Sequence, residues 1–140
     1  MIRIEIKTLL VAAAFIDGAS PLQRLFAIPK AISVSYPNRR LPQAVCEELA
    51  EFEAARVSLA ERHNGVRPNA AVPTYAFHDE KDAAMFEREY LELCAQQVEL
   101  PGEPYSIADL SGGSLLETDY SALAPFLLKS EQEERKIIAP

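Results

Sequence analysis

Residues 24–40 hold Arg24, Lys30, Arg39 and Arg40 with no acidic residue among them, and Tyr36 stands beside the arginine pair. A guanidinium group grips phosphate or carboxylate through two parallel hydrogen bonds, and an aromatic ring offers a face on which a base can stack. This chemistry suits a small anionic ligand such as a nucleotide, so Arg39, Arg40, Lys30, Tyr36 and Arg24 are the candidate ligand-binding residues. A plainer reading competes with it. The same charges would serve equally well to pair with acidic helices of the same chain or of a neighbouring subunit.

Other chemistry-bearing residues lack the spacing that chemistry needs. His78-Asp79-Glu80 gathers three metal-ligand types, but successive side chains diverge, and helical metal sites use three- or four-residue spacing. Asp79 reads instead as a helix cap, and His63 as a basic residue at a helix end, where the dipole favours it. Cys46 and Cys94 lie far apart within apolar helical patterns, so each reads as a buried structural thiol, with a disulfide only if their helices pack side by side. Ser111-Gly112-Gly113-Ser114 lacks the Lys-Ser/Thr of a phosphate loop, because Leu115-Leu116 follows. Pairs such as Glu47/Glu51 and Glu89/Glu92 are expected by chance in a chain with 21 acidic residues. The expectation is a non-catalytic protein with no metal and no cofactor.

The charge balance narrows the partners. Net charge is −7, which argues against general nucleic-acid binding, since phosphate contacts need surplus Lys and Arg. Residues 1–46 carry six basic and two acidic side chains, whereas the remainder carries eight and nineteen. The chain is electrically polarised along its length. Arg3 and Lys7 before the apolar run 9–16 loosely imitate a secretory leader, but Glu5 interrupts the basic region and Ile2, Ile4 and Ile6 alternate as in a strand. The run is too short to span a bilayer and reads as core, with no membrane association expected.

These side chains must be positioned by a mainly α (α+β) domain over residues 1–128, with a flexible charged tail at 129–140. Residues 1–7 read as a strand or extended lead-in and 8–16 as a helix closed by Asp17-Gly18. Ser20-Pro21 starts a short second helix that Pro29 ends. Alternation at Ile32, Val34 and Tyr36 fits a half-buried strand and leaves a helix open, and 36–40 is a loop. Two long antiparallel helices are predicted over 42–63 and 80–100. The first carries an apolar stripe of Val45, Leu49, Phe52 and Leu59. A short strand is predicted within 72–78, and a last helix over 119–128, capped by Thr118 and bent near Pro125.

Three stretches carry a resemblance over most of the chain. They are the opening helix leading to Ile28-Pro29-Lys30-Ala31, the acidic segment 47–56, and Phe86 through Leu100 followed by an extended piece and a Leu-rich helix. In this order of elements the chain resembles a family of small uncharacterised bacteriophage and prophage proteins. The loop 36–40 departs from the family pattern, which continues there as helix. The resemblance implies a phage origin, in the host cytoplasm or on the virion, and assigns no residue a role. The expected function is an accessory or assembly protein acting through homo-oligomer contacts or protein partners. The alternative is an anti-defence sponge that sequesters a small anionic, cyclic nucleotide signal of host immunity.

Overall fold

The structure, a computed structural model, describes residues 1–69, 74–111, 113 and 115–128. The chain is mainly α-helical with one small antiparallel sheet. Strand β1 (Ile2–Glu5) runs directly into helix α1 (Ile6–Ala13), followed by α2 (Pro21–Ala27), α3 (Ile32–Ser35), α4 (Leu41–Arg62) and α5 (Glu80–Cys94). Strand β2 (Gln97–Leu100), a 3-10 turn (Ile107–Leu110), helix α6 (Glu117–Ala122) and a final 3-10 turn (Ala124–Phe126) complete the described elements. No helix among the described residues is long and apolar enough to cross a membrane.

The alternation at the N-terminus is a true strand signal. Ile2 pairs with Leu100 and Ile4 with Val98, which buries Ile2, Ile4 and Leu100 on one face and leaves Arg3 to bond Glu99 across the outer face at 2.6 Å. This pairing corrects the predicted helix 80–100. It ends at Cys94, because β1 otherwise has no partner and Val98 and Leu100 carry the two-residue period. The predicted strand at 32–36 is likewise corrected. No strand pairs with it among the described residues, and the chain turns as α3, leaving Ile32 and Tyr36 exposed four residues apart on one face. Around 72–78 the described residues form only an isolated bridge between Val66 and Ala76, not a strand.

Helices α4 and α5 pack antiparallel. Asn64 meets Asp82 at one end of the pair, while Phe52 and Cys94 share a cluster at the other. Val45, Phe52 and Leu59 of the predicted stripe are buried. Asn64 takes the left-handed conformation that closes α4, with φ 61°. His63 is more than a dipole partner, because its buried ring contacts Glu89 at 2.6 Å. Asp79 caps α5 as expected, accepting from the Lys81 N–H at 2.9 Å.

The main core joins both halves of the sequence, from Ile2, Leu9 and Leu25 through Leu41 to Leu100, Leu123 and Phe126. The last helix starts earlier than predicted, at Glu117, and Asp119 rather than Thr118 satisfies its first turn by accepting from the Leu116 N–H at 2.8 Å. Both cysteines are free. Cys94 is buried, but Cys46 is exposed, against the expectation of two buried thiols. The tail 129–140 lies outside the described residues, as do Gly112 and Ser114 of the glycine-containing link.

Candidate functional site

Helix α2 sets the first two candidate residues. The Ser20 hydroxyl accepts from the Gln23 N–H at 3.1 Å and the Gln23 side chain accepts from the Ser20 N–H at 3.0 Å, a reciprocal cap that fixes where the helix begins. Arg24 then projects toward α6. It donates to both carboxylate oxygens of Asp119 at 2.7 and 2.8 Å, and to the carbonyls of Ile16 and Ala19 at 2.8 and 3.1 Å. The Asp119 side chain is wholly buried and that of Arg24 is 14 % exposed. The Arg24 hydrogen bonds hold the Asp119 carboxyl below its ordinary pKa, against the opposing effect of burial. Arg24 is a structural anchor.

Lys30 folds back on the end of the same helix. Its ammonium donates to the carbonyls of Leu25 and Ile28 at 2.6 and 2.7 Å and lies 5.3 Å from the centre of the Tyr105 ring. Both carbonyls lie at the C-terminal end of α2, where the Leu25 carbonyl also accepts from the Ile28 N–H at 3.3 Å. Burial pushes the Lys30 pKa down, with Asp109 opposing. Two of the five candidate residues therefore spend their donors inside the fold.

The other three meet at the corner between α3 and α4. The Arg39 guanidinium stacks 4.1 Å from the Tyr36 ring centre and donates to the Tyr36 carbonyl at 2.9 Å, and both side chains are exposed. Arg40 caps α4 without a side-chain cap bond, and the first turn of α4 carries no acidic residue. Neither Arg39 nor Arg40 forms an ion pair among the described residues. The corner is held by Asn38, which sequence reasoning missed. Its buried amide accepts from the Glu103 N–H at 2.7 Å and donates to the Glu103 carbonyl at 3.1 Å, clipping the loop to the turn after β2. Gly102, with φ +111°, passes against Asn38 too closely for any side chain.

Several recesses border this corner. Lys30, Arg39, Asn38, Phe26, Pro42 and Tyr105 contribute to a hollow of about 160 Å³. Ligand sites of drug or cofactor size usually enclose about 300–1,000 Å³, and this hollow is smaller than that. Arg40 instead faces a groove of about 500 Å³ that it shares with Glu47, Glu48 and Glu99, a lining that repels anions. Burial, then Glu51 and Glu47, push the Glu48 pKa up.

A third recess is apolar. Ala13, Phe15, Leu22, Phe26, Val45 and Leu49 are among the walls of a groove of about 270 Å³, with Cys46 at its side. Phe15 stands at 71 % exposure, and Val11 and Ile16 beside it in sequence are also exposed. The sequence holds a faint sign of this surface. Ile6, Leu9 and Ala12 are the buried face of α1, and Val11 and Phe15 sit off that face, so the segment is apolar on two sides and needs two covers.

No three metal-ligating side chains converge among the described residues, and His78-Asp79-Glu80 serves as the approach to α5. Compared with known proteins, the chain matches no protein family, no curated protein and no solved structure.

Proposed function

We propose that this chain is a non-catalytic binding protein of bacteriophage or prophage origin, an accessory or assembly protein that works by associating with itself or with protein partners. It acts in the host cytoplasm or on the virion. The phage origin rests on the order of elements described above. The binding role rests chiefly on one observation: Arg39 and Arg40 stand exposed at the N-terminus of α4 without a carboxylate partner among the described residues. The positive end of a helix dipole disfavours cations there, by roughly 0.3–1 kcal/mol each at exposed sites. A carboxylate from another molecule relieves that cost, and the acidic surface of a second copy supplies many.

A second reading, a sponge for a small anionic nucleotide, draws on the exposed stack of Arg39 over Tyr36. It loses Arg24 and Lys30, whose donors are engaged within the fold, and the adjoining hollow is small.

Sedimentation at low and high salt, with and without the double change Arg39→Glu and Arg40→Glu, tests the first reading. The expected result is an assembly weakened by both salt and charge reversal. A monomer stabilised by a cyclic nucleotide would replace the first reading with the second. Such a ligand at a hundredfold its Kd raises stability by about 2.7 kcal/mol, visible as a thermal shift.

A further inference from the structure

We propose that the apolar groove between the end of α1, α2 and the first half of α4 docks a second copy of this chain about a two-fold axis beside Cys46, with Arg39 of each copy facing Glu53 of the other. This rests on the self-association reading and names the face that carries it.

One side of α4 carries both apolar and charged residues in a regular order. Pro42, Cys46, Leu49 and Glu53 follow at spacings of four, three and four, so they lie along one side of the helix. Pro42, Cys46 and Leu49 line the groove. Arg39 precedes them on the same side, since it shares a hollow with Pro42 and Phe26, which also wall the groove. Glu53 lies seven residues beyond Cys46, roughly 10 Å along the axis, and Arg39 lies seven residues before it, in the turn that leads into α4.

Charges of opposite sign on either side of a central residue have a definite geometric meaning. A two-fold contact requires that residue i meet residue j while j meets i. Two such helices laid antiparallel across the groove place Arg39 against Glu53 twice and Cys46 near its own counterpart. A parallel arrangement sets Arg39 against Arg39 and is disfavoured. Both Glu53 oxygens already accept from Arg56, three residues on, at 3.0 and 2.6 Å, yet the side chain is exposed and each carboxylate oxygen has a second lone pair for another guanidinium.

The apolar part of the surface fits the same occupant. The groove is smaller than an ordinary small-molecule site, and the exposed apolar surface extends past it to Phe15, Ile16 and Val11. A small ligand in the groove leaves those side chains in water. A second protein surface covers both, with Phe15 of each copy entering the groove of the other.

The test uses the intact chain and a bismaleimide with a spacer of about 8 Å, matched to the 8–10 Å between packed helix axes. Cys94 is buried, so Cys46 is the thiol that reacts in the folded protein. The expected result is a covalent dimer that Cys46→Ser abolishes. In sedimentation, Arg39→Glu and Glu53→Arg each weaken association by about tenfold, close to 1.4 kcal/mol, and the two changes in one chain restore it. Phe15→Asp also disperses the dimer while far-ultraviolet circular dichroism stays unchanged. If that variant unfolds, the charge-swap set still decides. A dimer without the Cys46 crosslink and without charge-swap rescue overturns this face while self-association stands. A monomer at every concentration removes both.

Discussion

Arg24 and Asp119 hold each other through two parallel hydrogen bonds, 95 positions apart in sequence. Because the Asp119 pKa is held below its ordinary value of 3.8, first by the Arg24 hydrogen bonds, the pair contributes stability that is fully present above that value. The contribution is lost as pH falls through the lowered pKa of the folded state. Urea denaturation across pH 2–6 is expected to show a stability loss at the acid end that Asp119→Asn flattens, at the expense of lower stability near neutrality. Lys30→Met is expected to cost roughly 1 kcal/mol by removing the donor to two helix-end carbonyls, and to leave association unchanged. These two residues show the limit of reading charge from sequence. A stretch without acids looks uncommitted, yet the partner of Arg24 is remote and Lys30 bonds backbone carbonyls that no composition reveals.

At the scale of elements, starts and stops were the most legible features. Ser20-Pro21 sets the start of α2, Asp79 that of α5, and Asn64 ends α4, because each acts through its own backbone within a few residues. Ser20→Ala is expected to cost about 1 kcal/mol in denaturant unfolding, as loss of an N-cap usually does. The elements misread were those decided by distant partners. Gln97–Leu100 becomes β2 because β1 waits for it, and 32–36 becomes helical because its alternation finds no strand partner among the described residues. The Asn38 clip belongs to the same class. Asn38→Ala is expected to destabilise by about 1–3 kcal/mol by leaving the Glu103 peptide groups unpaired, measured as a shift in denaturant midpoint.

For the whole molecule, the polarity visible in the sequence survives folding only in part, since Arg3 pairs with Glu99, Arg24 with Asp119 and Lys30 folds onto helix-end carbonyls, while Arg39 and Arg40 stay exposed without a carboxylate partner among the described residues. That remainder separates stability from association. Arg40→Glu brings a favourable charge to the N-terminus of α4 but removes the cation from the groove it shares with Glu47, Glu48 and Glu99, so it is expected to leave monomer stability within about 0.5 kcal/mol while weakening assembly, read from unfolding and sedimentation on the same sample. Of the groove itself only the two-sided apolarity of the α1 segment was legible, because exposure of Phe15 depends on where α1 stops. One further feature shapes how the molecule comes into being. The first strand closes against residues as distant as Leu100, and Tyr105 is then tied to Phe126 and Leu128 through its peptide groups. During synthesis the opening isoleucines therefore emerge long before anything exists to cover them. Long-range closure of this kind slows acquisition of the native state and leaves sticky surface open meanwhile. A nascent chain halted before residue 97 lacks the mate of its first strand, and is expected to be digested by protease far faster than the finished protein.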